Sequence, residues 1–185
     1  MSLKTHERRK YEKAWTIPEY RNYAPGEILA TDVLADIPKG AKVIDFGSGT
    51  GRGALKIHEA GYPVVMIDHA DNCLDREVKK AINPRFRFLE WCLWDPLHVK
   101  GDYGFCTDVM EHIPPQKVPD VLDNIKTAVE HGFFNISTID DYFGKQIGEP
   151  LHLTVMPWHT WVELISQRWP VLKTKIGPGE VSIWF

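Results

Sequence analysis

Apolar residues fall in short runs, AKVIDF, YPVVMI, FRFLEWC, YGFCT and HGFFNIS, and between these runs they recur at helical spacing. A short apolar run bounded by turn residues marks a strand covered on both faces, whereas spacings of three and four mark a helix with one covered face. The pattern predicts a charged helix over 5–15, broken before Pro18, and a second from Pro25 through ILATDVLADI that the turn Pro38-Lys39-Gly40 ends. A strand at 42–46 enters a glycine-rich turn, which opens a helix through His58 and Ala60 to Gly61. A second strand, 62–67, ends at Asp68. Asp71 then caps a helix that reaches Ala81 and stops at Asn83-Pro84.

The third strand is 86–92 and the fourth 103–107; a helix over 119–130 leads into a fifth strand at 131–137. A loop of about twenty residues follows, long enough in a compact domain to imply a functional role. The helix 156–167 places Trp158, Trp161, Val162, Leu164 and Ile165 on overlapping faces, and 171–176, a Gly-Pro-Gly-Glu turn and 181–185 read as a hairpin. Strand–helix alternation predicts an α/β fold with a doubly wound, mostly parallel sheet of seven strands, one of them antiparallel and supplied by the C-terminal hairpin. In such sheets ligands lie outside the carboxyl ends of the strands, where the strand order reverses.

Composition narrows the class. With 185 residues, 43% hydrophobic, the chain suits a single domain over 1–185: N-terminal helices as a partial lid (1–37), a cofactor-binding core (40–137), a substrate loop (138–160), and the last helix with its hairpin (161–185). Lys and Arg number 22 against 25 Asp and Glu, a formal charge of -3 that gives no electrostatic case for a nucleic-acid or membrane partner. Cys73, Cys92 and Cys106 are too few and too irregular for a disulfide framework or a zinc site; they read as reduced thiols, Cys92 and Cys106 within buried strands. The charged N-terminus has no apolar segment behind it, and no run approaches the ~18 residues of a membrane helix. The expectation is a soluble, cytoplasmic protein.

Polar chemistry collects where strands end. GSGTGRG follows the first strand, so the backbone can turn sharply and offer helix N-terminal amides to an anion. Asp68 follows the second and suits a ribose diol. Trp94 and Asp95 follow the third; Asp108, Val109, Glu111 and His112 follow the fourth. A dinucleotide fingerprint beginning at Gly47 fails at Arg52, and one beginning at Gly49 leaves Asp45 unexplained. An acid inside a buried strand needs a partner, and a ligand ammonium group is one.

VIDFGSGTG and TDVMEHIP, at these positions, resemble the first motif and the post-fourth-strand segment of the class I S-adenosylmethionine-dependent methyltransferases. The resemblance implies a Rossmann-like methyltransferase fold with S-adenosylmethionine as cofactor. It implies that Asp45, Gly47, Ser48, Gly49 and Gly51 hold the methionine part, Asp68 the ribose and His69 the adenine face. Asp95, beside Trp94, would meet the adenine edge, and Asp108 and Val109 the sulfonium end. Asp102 matches the family's acid ahead of the fourth strand. On this reading the glycines make room for the cofactor.

The catalytic candidates are His112, then His152, as general base; Glu111-His112 equally suits a brace for the fourth strand. Arg52 reads as a solvated first-turn residue, with the cofactor carboxylate as its alternative partner. His159 belongs more naturally to the tryptophan-rich helix than to catalysis. Asp108 with Asp140 and Asp141 resembles the magnesium carboxylates of some methyltransferases, but adjacent loop acids are usually solvated, and no metal is assigned. The acceptor is expected to be a small molecule. The alternatives are a domain that binds the cofactor without turnover, and a nicotinamide-dependent oxidoreductase.

Overall fold

The structure, a computed structural model, describes residues 1–185. Helices α1 (Leu3–Ala14), α2 (Pro18–Asn22) and α3 (Pro25–Val33) precede β1 (Val43–Phe46), α4 (Arg52–Glu59), β2 (Val64–Asp68), α5 (Arg76–Ala81) and β3 (Phe86–Glu90). Next come β4 (Tyr103–Thr107), α6 (Val118–Ala128), β5 (Gly132–Ser137), α7 (Gly144–Ile147), α8 (Trp158–Ser166), β6 (Lys173–Gly177) and β7 (Glu180–Trp184). The strands form one sheet in the order β3-β2-β1-β4-β5-β7-β6. The first five are mutually parallel; β7 runs antiparallel to both β5 and β6. The expected doubly wound sheet of seven strands is the one observed.

Alternate strand residues feed two apolar layers. Phe133 joins Val33, Ala54, Ile57 and Val78, which α3, α4 and α5 bring to one face. Phe134 joins Val121, Leu122, Ile125 and Trp161, which α6 and α8 bring to the other. The edge strand at the far side, β6, is exposed along most of its length and carries Lys173 and Lys175, charges that discourage pairing with another sheet. No helix is long and apolar enough to cross a membrane.

Three elements differ from expectation. Pro18 does not merely end a helix; it opens α2, because proline at the first helical position loses no hydrogen bond there. Asp71 starts only a 3₁₀ turn to Cys73, and α5 begins after Asp75 instead. Leu74 is extended between them, so that Cys73 and Leu74 enter the core, while the Asp75 amide donates to the Thr50 carbonyl at 3.0 Å. The third strand ends at Glu90, leaving Cys92 buried in the following turn rather than in a strand.

Gly132 shows how tightly β5 is enclosed. A Cβ there would sit 2.5 Å from the Gly104 carbonyl oxygen and 2.7 Å from the Phe185 ring. Backbone on one side and a packed aromatic on the other cannot both retreat. Gly132→Ala should therefore destabilise the fold by about 1–3 kcal/mol, the usual range for overpacking. A lowered urea midpoint at unchanged slope checks this.

Candidate active site

β1 and β4 lie side by side at the centre of the sheet, but the chain leaves β1 for α4 and leaves β4 for α6 on the opposite face. The crevice between their ends opens into a cavity of about 1060 Å³, its mouth included. Asp45 lines it, 3% exposed, in register with Met66 and Phe105, and its carboxylate has no hydrogen-bond partner. Burial, reinforced by the nearby Asp68 carboxylate, pushes its pKa from 3.8 up to about 8.

The glycine turn is held by its own backbone. Gly47, Gly49 and Gly51 have φ of 75°, 49° and 76°, in the left-handed region where a side chain is strained. The amides of Gly47 and Ser48 donate to the Ile67 carbonyl at 2.8 and 3.0 Å. Gly49 N donates to Asp68 Oδ2 at 2.9 Å, and Ala70 N donates to Asp68 Oδ1 at 3.1 Å. Asp68 thus braces the turn as well as facing the cavity, a role that residue type and spacing do not reveal. Burial raises its pKa, against the pull of these amides.

The glycines do not leave empty space. A Cβ at Gly47 would collide with Val109, one at Gly49 would lie 2.9 Å from the Trp15 ring, and one at Gly51 2.6 Å from Val78. They are required by backbone shape and by the packing of neighbouring side chains. What the turn leaves available is polar. The amides of Thr50, Arg52 and Gly53, at the start of α4, have no backbone acceptor, and Ser48 Oγ is buried without a partner. Unbonded N–H groups at a helix start favour an anion. Gly51 shapes this turn without itself lining the cavity. Arg52 is half-buried and not free for a ligand: its Nε meets Asp75 at 2.6 Å, and Arg21 of α2 takes the other oxygen of Asp75 at 2.8 Å.

Along the next wall His69 and Trp94 meet edge to face with centroids 5.8 Å apart, and both border the cavity. His69 Nε2 is buried without a partner, and burial lowers the ring's pKa to about 4. Asp95 is placed differently from expectation. Its carboxylate pairs with Lys4 of α1, and Cys92 and Leu93 face the cavity in its stead. Nothing in their residue type singled those two out. Asp102 is a brace, accepting from the Lys42 amide at 2.8 Å where β1 and β4 begin.

At the end of β4, Asp108 is the one non-glycine residue with positive φ, 58°. Asp108, Val109 and His112 line the cavity. Glu111 is fully buried, and one of its oxygens accepts from the Ser137 amide at 2.8 Å. Burial and the adjacent Asp108 raise its pKa well above the ordinary value. His112 lies against the Tyr11 ring, edge to face, and burial lowers its pKa to about 4. His152 stands behind it, the ring centroids 4.7 Å apart. Asp140 and Asp141 do not join the donor group around Asp108; Asp141 accepts from the amides of Gly144, Leu151 and His152, folding the long loop around α7. His159 packs against Trp158 on the exposed side of α8.

The N-terminal helices cover the crevice. Tyr11, Trp15, Tyr20 and Tyr23 border it, with Trp15 and Tyr20 4.7 Å apart and Tyr20 5.6 Å from Phe143. Lys13 donates to the Ile147 carbonyl at 2.8 Å, joining α1 to α7.

A central glycine turn, a buried acid in β1 and a seven-stranded sheet closed by an antiparallel β7 define a Rossmann-like methyltransferase architecture. Residues 18–172 match the family model described as a methyltransferase domain. The chain belongs to this family, the class I S-adenosylmethionine-dependent methyltransferases. It is 29% identical over 108 residues to the probable S-adenosyl-L-methionine-dependent methyltransferase TehB of Haemophilus influenzae, a match covering 55% of this chain and 37% of that protein. The match thus spans well under half the length of that relative. Among solved structures, PH0226 from Pyrococcus horikoshii superposes with TM-score 0.72 at 14% identity, covering 92% of both chains. The 1,6-didemethyltoxoflavin-N1-methyltransferase of Burkholderia thailandensis superposes with TM-score 0.70 at 17% identity, covering 88% of this chain and 78% of that one.

The buried Asp45 has a measurable consequence. The folded protein retains a proton up to about pH 8 that the unfolded chain releases near 3.8. The contribution of Asp45 to stability is therefore fully present below the unfolded value, is lost as pH rises toward the folded one, and levels off above it. Asp45→Asn should flatten that decline, as read from melting temperatures across the interval.

Proposed function

We propose that this chain transfers the methyl group of S-adenosylmethionine to a small-molecule acceptor by in-line displacement. The observation that carries the reading is Asp45, a buried acid with no partner, beside the unbonded amides at the start of α4. An amino-acid moiety brings an ammonium and a carboxylate together, which is the pair these two features lack. Asp45 holds the ammonium, and the Thr50 and Gly53 amides with Ser48 Oγ receive the carboxylate. Asp68 keeps one lone pair on each oxygen after its two amide bonds and accepts from the ribose hydroxyls. His69 and Trp94 border the adenine, His69 through its unpaired Nε2.

Bound S-adenosylmethionine supplies a methyl group already activated by its sulfonium. The protein's part is then alignment and exclusion of water. Val109 and Asp108 face the sulfonium end, and Tyr11, Trp15 and Tyr20 close the crevice above it. His112, neutral in its buried setting, presents an unprotonated ring nitrogen at the acceptor end, with His152 behind it. A small acceptor is supported by the enclosure of the cavity under α1 and α2 and by the absence of a cationic surplus. The toxoflavin methyltransferase, a relative in fold, also acts on a small molecule.

Calorimetric titration with S-adenosylmethionine, S-adenosylhomocysteine and NAD tests the reading. Binding of the first two and not the third is expected, and Asp68→Ala should weaken it by about 1–3 kcal/mol, the loss of charge-assisted hydrogen bonds. Circular dichroism of the variant separates that loss from collapse of the turn that Asp68 braces. NAD binding alone, or an unchanged affinity in a folded Asp68→Ala, would sink the assignment.

A further inference from the structure

Beyond the end of β4, Asp108, Glu111, His112 and His152 each bring one donor atom into a group whose members all lie within 4.8 Å of one another. Three belong to a single turn at spacing i, i+3 and i+4, because the 3₁₀ turn Met110–His112 folds Glu111 and His112 back beside Asp108. The fourth arrives from far along the chain. The amides of Leu153 and Thr154 donate to the Glu111 carbonyl at 2.8 and 2.9 Å, pinning the segment that carries His152 against this turn.

Two observations turn proximity into directed donors. Glu111 has no solvent exposure; its Oε1 accepts from Ser137 N, and its Oε2 is buried with no partner. An interior carboxylate oxygen left unpaired is costly, the more so beside a second carboxylate. Both imidazoles, moreover, are oriented from behind. His112 Nδ1 lies 3.1 Å from the Leu151 carbonyl oxygen, and His152 Nδ1 lies 2.6 Å from that of Ile139. A carbonyl can only accept, so Nδ1 carries the proton in each ring and Nε2 carries the lone pair. That outer hydrogen bond is what orients a metal-binding histidine and fixes its tautomer.

We propose that Asp108, Glu111, His112 and His152 bind one divalent first-row transition-metal cation. Two carboxylates and two imidazoles suit manganese, iron, cobalt or zinc, whereas magnesium and calcium prefer an all-oxygen shell. Donors at about 2.0–2.2 Å from such an ion stand at most about 4.4 Å apart across it, so the group needs to contract only slightly. The cation neutralises two acids that otherwise face one another in a buried turn. Lys10, a basic side chain that also acts on His112, does not fill this role; it is held by Glu7 at 2.6 Å and by the Pro150 carbonyl at 3.3 Å.

Asp108 and His112 line the cavity, so the ion stands in its wall at the acceptor end, where an oxygen of the acceptor can complete its shell. That last consequence rests on the methyltransferase reading; the binding site does not. The test therefore omits cofactor and acceptor. The chelator-treated chain is titrated with cobalt(II), followed by visible absorption, and with manganese(II), followed by loss of the free-ion magnetic resonance signal; zinc(II) is read by its competition with cobalt. One equivalent is expected to bind. His152→Ala, at a half-buried position, and Asp108→Asn should each weaken binding ten- to a hundredfold, on the order seen when metal sites lose supporting groups. His159→Ala, outside the group, should leave it unchanged. Thermal melts without metal establish that the variants are folded. Failure of manganese, cobalt and zinc to bind, or equal binding by His152→Ala and the parent chain, would overturn the site and leave a shared proton or a buried water between the carboxyls.

Discussion

Everything at this site depends on one constraint: β1 and β4 are neighbours, yet the chain leaves them toward opposite faces of the sheet. Helices can cover the two faces but not the gap between those strand ends, so apolar packing cannot close it. The polar groups of four strand ends are gathered there and are only half satisfied by the protein itself. Asp45 without a partner, Ser48 Oγ and His69 Nε2 buried unbonded, and the idle amides of Thr50 and Gly53 at the start of α4 all belong to residues that border the same crevice. A domain that left them so without a ligand would carry their desolvation cost for nothing.

The N-terminal segment answers this constraint from above. Arg21 reaches the carbonyls of Asn72 and Cys73, both at 2.6 Å, and shares the Asp75 carboxylate with Arg52. One acid therefore ties α2 to the first turn of α4 and to the start of α5. Trp15 is held over Gly49 by the same arrangement, which is why that glycine's missing side chain matters to the cover as much as to the turn. The cover and the cradle are mechanically one piece, and any change in the glycine turn is felt by the aromatic residues above it.

At the acceptor end the residues work in pairs that are distant in sequence. Glu111 is fixed by Ser137 of β5, and its own carbonyl fixes residues 153 and 154. Asp141, to all outward signs a free loop acid, is consumed by three backbone amides and shapes the path that delivers His152. A loop of this length is thereby held by one carboxylate and one backbone carbonyl, and the histidine it carries arrives with its tautomer already set.

The order of elements, the parallel sheet and the strand ends that bear the chemistry were legible in the sequence, since period and turn residues are local properties. So was Asp45, because an acid in an otherwise apolar strand is out of place by residue type alone. Side-chain direction was not. Asp95 turns to Lys4, Arg52 to Asp75, and Asp68 to two amides, and each partner is separated from it by a fold rather than by a few residues, Ala70 excepted. The need for the glycines was legible too, but only part of its reason: Val109, Trp15 and Val78 occupy the space their side chains would need. The residue types and their spacing determined which chemistry the chain carries, and only the tertiary structure decided which of those groups face one another, because hydrogen bonds and burial depend on distances that sequence separation does not encode.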